Sequence, residues 1–77
     1  MTFKIIKTLY SFPETSGGWH KELNIISWND RMPKYDLRPW NEDHSKAGKG
    51  VTLSKEEMIQ LFHAISGLDF ERSGVDA

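Results

Sequence analysis

Apolar and polar positions alternate over Phe3 to Phe12, FKIIKTLYSF, in a run of β-branched, aromatic and lysine side chains that predicts a first strand. Period two sets Phe3, Ile5 and Leu9 on one face and Lys4, Ile6 and Tyr10 on the other. Pro13 ends the strand, and Glu14-Thr15-Ser16-Gly17-Gly18 reads as a flexible turn. Trp19 to Trp28 predicts a second strand, with Trp19, Lys21, Leu23, Ile25 and Ser27 opposed to His20, Glu22, Asn24, Ile26 and Trp28. Leu23 and Ile25 mark the first set as the core side. The second set should then face solvent, with Trp28 on display.

Asn29 to Pro33 forms a turn, and Lys34 to Trp40 predicts a third strand with Tyr35 and Leu37 opposed to Lys34, Asp36, Arg38 and Trp40. A polar loop from Asn41 to Gly48 leads to a short fourth strand, Lys49 to Leu53. There the period changes. Ser54-Lys55-Glu56-Glu57 has the form of a capping box, Met58, Leu61, Phe62 and Ile65 make one apolar helical stripe, and Gly67 supplies the stop. The expected fold class is α+β: a four-stranded curved antiparallel sheet followed by one C-terminal amphipathic helix, ββββα. It occupies a single domain over residues 1–68, and residues 69–77, with Phe70 and Val75 as their main apolar content, form a flexible C-terminal tail.

A chain of 77 residues supports one domain with a marginal core. It has no cysteine, so neither a disulfide nor a thiolate metal site can supplement that core, and a homodimer is the natural expectation. The N-terminus has no signal-like apolar run, and no stretch approaches the roughly 20 apolar residues that span a bilayer. No membrane partner is expected, and the expected location is the cytoplasm, associated with the nucleoid. The net charge of −1 is unevenly placed. Residues 1–53 carry eight Lys or Arg against six acids, whereas residues 54–77 carry two against five. A locally positive face on a near-neutral protein is therefore permitted.

The candidate chemistry lies between Trp28 and Leu53, where Trp28, Tyr35 and Trp40 interleave with Arg31, Lys34, Arg38, Lys46 and Lys49, with Lys21 just upstream. Rings on a sheet surface can stack on any base, and neighbouring cations can hold phosphates by releasing counterions. A duplex hides the base faces, so the pattern favours single strands. Gly48 and Gly50 flank Lys49 and would let a nucleic-acid backbone come close. Blander roles exist for the same residues. Trp28 and Trp40 could be core or dimer-interface residues, Trp19 shares parity with Leu23 and Ile25 and reads as packing, Lys34 could solubilise an edge, and Asp36 could simply orient Arg38. An enzyme is not expected. His20, His44 and His63 are far apart and lack metal-ligand spacing, and the adjacent residues Asp43-His44-Ser45 cannot place a base between nucleophile and acid. Neither cofactor nor metal is predicted.

The run from Gly18 to Phe62, with GWHKELNIISWND, PKYDLRPW and DHSKAGKGVTLSKEE before the helix, resembles the small bacterial members of the positive cofactor four (transcriptional coactivator p15) family of single-stranded DNA-binding coactivators. Asp36-Leu37-Arg38 followed by Trp40, and Lys49-Gly50-Val51-Thr52-Leu53-Ser54, are the most specific parts. The resemblance implies a dimer whose curved sheets form channels for single strands. It points to Lys21, Trp28, Arg38, Trp40, Lys46 and Lys49 as nucleic-acid contacts, and Lys34 joins them by sharing a strand face with Arg38 and Trp40. The eukaryotic pattern's Ser-rich and Lys-rich regulatory arm is not present, and the loop before Lys49 is shorter. The expected function is largely sequence-independent binding of single-stranded DNA in transcription regulation, replication, repair or uptake, with transcription or recombination proteins as further partners. The alternatives are a protein-interaction module that docks a transcription partner through the aromatic face, and a single-stranded RNA binder. Strand binding should weaken steeply with salt, and apolar docking should not.

Overall fold

The computed structural model describes residues 2–71 and forms β1 (Phe3–Ser11), β2 (His20–Trp28), β3 (Lys34–Trp40), β4 (Val51–Leu53) and α1 (Lys55–Ser66). The strands pair antiparallel in the order β1-β2-β3-β4, an open curved sheet followed by one helix, as the alternation and the capping box predict. Of the tail expected over residues 69–77, residues 72–77 lie outside the described part. No described helix is long and apolar enough to cross a membrane.

Both long hairpins close through residues that accept positive φ. Between β1 and β2 the pairing continues past Ser11, with the Phe12 amide donating to the Lys21 carbonyl at 2.8 Å and the Thr15 amide to the Trp19 carbonyl at 2.9 Å. Gly17 and Gly18, at φ +59° and +84°, then make a tight two-residue turn where the sequence suggested a loose one. Asn29 and Asp30, at φ 50° and 60°, turn β2 into β3, and the Arg31 amide donates to the Trp28 carbonyl at 3.0 Å. Asn and Asp bear this conformation better than other side chains.

The covered side of β2 is opposite to the one expected. Register places His20 beside Trp40, Glu22 beside Arg38, Asn24 beside Asp36 and Ile26 beside Lys34. On this face Ile26, Trp40, Glu22, Asn24 and Asp36 are all buried. Strand parity correctly sorts residues into two faces, but it does not say which face is covered. Here Phe3 reaches across from β1, its ring centroid 5.0 Å from that of Trp40 and 5.8 Å from that of Trp28, and closes the side that Leu23 and Ile25 seemed to leave to solvent. Alternation in β1 also fails after Ile5. Register shifts between Ile5 and Lys7 and between Thr8 and Tyr10 drop Ile6 and Leu9 out of the pairing, so Ile5 and Thr8 share the Trp28 face while Lys7 and Tyr10 share the Leu23 face.

The helix begins as predicted. The Glu57 amide donates to Ser54 Oγ at 3.1 Å, and the Ser54 amide donates to Glu57 Oε1 at 2.9 Å. Gly67 ends the helix at φ −86°, in the right-handed region, with its amide bonded to the His63 carbonyl, so the stop does not use a left-handed glycine. The stripe Met58, Leu61, Phe62 and Ile65 lines an apolar groove with Phe12, Leu23, Leu37 and Leu53. Among the described residues the helix backbone comes close to β3 and β4, and none of the helix residues is buried.

Gly50 is required by the sheet itself. A Cβ there would lie 2.2 Å from Arg38 Cβ and 2.3 Å from the Leu37 carbonyl oxygen, and one on Gly48 would lie 2.6 Å from Pro39 Cγ. The close approach that these glycines permit is to the protein's own β3. Gly50→Ala should therefore separate β4 from β3 and destabilise the domain by about 1–3 kcal/mol. A denaturant melt indistinguishable from wild type would contradict this packing.

Candidate nucleic-acid interface

The alternation of β3 puts Asp36 and Arg38 on one face, two residues apart, and the carboxylate orients the guanidinium. Arg38 Nε and Nη2 donate to Asp36 Oδ1 and Oδ2, both at 2.6 Å, and Thr52 Oγ1 on β4 donates to Asp36 Oδ2 at 2.9 Å. Asp36 is buried and the Arg38 side chain keeps 18% of its surface exposed, so this bidentate fork is rigid and still reachable from solvent. The ion-pair role anticipated for Asp36 is the one it has. Held this way, the guanidinium carbon lies 4.6 Å from the centroid of the Trp28 ring, within cation–π distance.

Trp28 and Arg38 form the floor of an open groove completed by Asn29 and Thr52, and a second concavity continues from it along Trp28, Arg31, Met32, Lys34 and Thr52. Because Asp36 already neutralises Arg38, the exposed cations Arg31 and Lys34 supply most of the positive charge at its rim. Of the sequence-predicted positions, Trp28, Lys34 and Arg38 come together here. Trp40 does not line the groove. It is 1% exposed, covered by Phe3 and by the His44 ring at 5.4 Å, so its ring supports the face rather than being displayed on it. Lys21 shares the parity of Leu23 and leaves β2 toward the helix side, and Lys46 and Lys49 are exposed beyond the groove. Four contributors are not among the expected contacts. Phe3, 40% exposed and expected only as part of the β1 alternation, meets Trp28; Asn29, Met32 and Thr52 join the groove through the turn and the β3–β4 register.

At the far end of the same face, spacing along the chain proved a poor guide. His20 and His44, 24 positions apart, both meet the Glu22 carboxylate, with Nε2 to Oε2 distances of 2.5 Å and 2.8 Å. Asn24 Nδ2 holds the other oxygen, Oε1, at 3.0 Å. The loop between β3 and β4 is shaped to deliver His44. It has φ 60°, its amide donates to the Asn41 carbonyl, and Asn41 Oδ1 accepts the Lys46 amide at 2.9 Å. Among the described residues, His20, Glu22 and His44 form the one group whose donor atoms could share a cation.

The hydrogen bond that His20 donates to the Glu22 carboxylate raises the pKa of His20 above its ordinary 6.5, against the opposing effect of burial. Burial pushes Glu22 up, but hydrogen bonds from Asn24, His20 and His44 outweigh it and leave the carboxyl below its usual range. A His20 pKa raised by folding means that the imidazolium contributes its full stability below about pH 6.5, and that this is lost as pH rises through the folded value. With chelator present, the melting temperature should fall as pH rises above about 6.5, and His20→Gln should flatten that slope. Equal slopes in the two proteins would refute the coupling.

Residues 16–64 match the family described as Transcriptional Coactivator p15 (PC4). A protein of Treponema pallidum (strain Nichols), described as uncharacterized, is 48% identical over 58 residues, which cover 74% of this chain and 68% of that relative. The matched span runs from the Gly17-Gly18 turn through β2, β3 and β4 and most of α1, and so contains Trp28, Arg31, Lys34, Asp36, Arg38 and Thr52. On the strength of that match and the four-strand-then-helix order, the chain belongs to the Transcriptional Coactivator p15 (PC4) family, a nucleic-acid-binding and non-enzymatic family.

Proposed function

We propose that this protein is a dimeric, largely sequence-independent single-stranded DNA-binding protein acting in transcription regulation or in DNA replication, repair or uptake, and hence at the nucleoid in the cytoplasm. The observation that carries the reading is the Trp28–Arg38 stack, fixed by Asp36 on the floor of an open groove whose rim holds Arg31 and Lys34. A base entering the groove would stack on the free surface of Trp28 or the guanidinium plane, contributing on the order of 1–3 kcal/mol with little base preference. The flanking cations hold successive phosphates. Phe3 extends the aromatic surface, and the exposed Lys46 and Lys49 carry the phosphate track beyond the groove, whereas Lys21, on the opposite side of β2, takes no part in it. Pairing of two chains through the exposed helix stripe would place two such grooves on one particle.

Tryptophan fluorescence tests this directly. A thymine oligomer of about 20 nucleotides should quench the emission strongly at low salt, the matching duplex should do so weakly, and moderate salt should reverse the effect. Arg31→Ala and Lys34→Ala should each lower the slope of log K against log salt by about 1. No quenching by DNA would sink the proposal, and tighter binding to uracil oligomers would reassign the groove to RNA.

A further inference from the structure

The group at His20, Glu22 and His44 is unlike an incidental surface cluster. Its carboxylate is almost wholly buried, with 5% of the side-chain surface exposed, and both imidazoles direct the same ring atom, Nε2, at the same oxygen, Oε2. All three donor atoms lie within 4.8 Å of one another. An ion bonded at roughly 2.0–2.2 Å to each would need donor separations near 3.4 Å, which small side-chain rotations supply.

The surroundings are also those of a ligand set. A metal-bound histidine normally donates its second ring nitrogen to a carbonyl or carboxylate, which fixes the tautomer that leaves the other nitrogen free. His20 Nδ1 faces the Gly18 carbonyl oxygen at 3.4 Å, and that glycine is held at φ +84° by the hairpin turn. Glu22 Oε1 is occupied by the Asn24 amide, leaving Oε2 as the single free donor of the carboxylate. His44 keeps 36% of its side chain exposed, so an ion can enter from the loop side.

We propose that His20, Glu22 and His44 bind one first-row divalent transition ion of the zinc class, with solvent completing the coordination. Two imidazoles and one carboxylate suit such an ion, whereas an all-oxygen preference excludes magnesium and calcium from competing well. Binding replaces the two N–H···O contacts to Oε2 and ties the loop between β3 and β4 to β2. Its effect is structural, and it stands whether or not the groove binds DNA.

Zinc titration of the chelator-treated protein should show one ion per chain, with competition against a chromophoric chelator at micromolar concentration and a rise in melting temperature. His20→Ala and His44→Ala should each abolish that binding, His63→Ala should retain it, and magnesium should produce neither signal. Absence of binding, or binding that survives both His20→Ala and His44→Ala, overturns the site. Should either variant fail to fold, imidazole nitrogen resonances of the wild type decide. Zinc should move the Nε2 signals of His20 and His44 and spare His63, and movement confined to His63 refutes the proposal.

Discussion

Trp40→Ala should lower the stability of the domain by about 3–5 kcal/mol, the usual cost of truncating a fully buried aromatic side chain. Trp40 and Ile26 are the buried apolar residues among those described, so this one ring is a large share of what the single chain removes from water. Its loss would also release Phe3 and His44, which pack on it from β1 and from the loop. Trp28→Ala should behave differently. Trp28 is half-buried and its ring meets Arg38 on the groove side, so that substitution should cost less stability and remove most of the fluorescence response to single strands. Equilibrium denaturation of the two variants, followed by strand titration of whichever remains folded, separates them. A Trp40→Ala protein of wild-type stability that no longer binds DNA would show that Trp40 is displayed and not buried.

The contrast between these two tryptophans shows how far a sequence can be read. Element order was legible because it depends on local signals: period two in β2 and β3, the Ser54–Glu57 box, and the 3.6-residue stripe of Met58, Leu61, Phe62 and Ile65. The grouping of Lys34, Asp36 and Arg38 with Trp40 followed from the same parity, and the β2–β3 register together with the Arg38–Trp28 contact brings Trp28 of β2 to that face. What parity could not supply was the third dimension. Sheet curvature brings Phe3 over Trp40, two bulges reset the phase of β1, and a loop histidine at φ 60° folds back to a glutamate 22 positions away. Each depends on a long-range contact with no periodic trace. Gly50 shows the same limit in another form: its lack of a side chain was visible, but the atoms filling that space belong to Arg38 and Leu37 of the neighbouring strand. The Asp36–Arg38 fork also changes how Arg38 should be tested, because Arg38→Ala would leave a buried carboxylate without its partner and confuse lost binding with lost stability.

Leu61→Asp should be the most disruptive single change on the helix. Leu61 lies in the groove formed with Phe12, Leu23, Leu37, Leu53 and the other stripe residues, yet within one chain it remains 40% exposed, Ile65 46% and Phe62 65%. A domain with so few fully buried apolar residues gains little from its own core, and an uncovered stripe beside an apolar sheet face is where a second copy would complete it. A carboxylate at this position would forfeit about 2–5 kcal/mol of leucine burial and would have to lose its own hydration in the assembled dimer. Sedimentation equilibrium should find wild type at twice the 8.9 kDa chain mass, with a melting temperature that rises with protein concentration. The variant should sediment as a single chain and lose most of its helical circular dichroism. If Leu61→Asp keeps the mass and the melting behaviour of wild type, the helix stripe is not the surface through which the chains pair, and the two-groove arrangement falls with it.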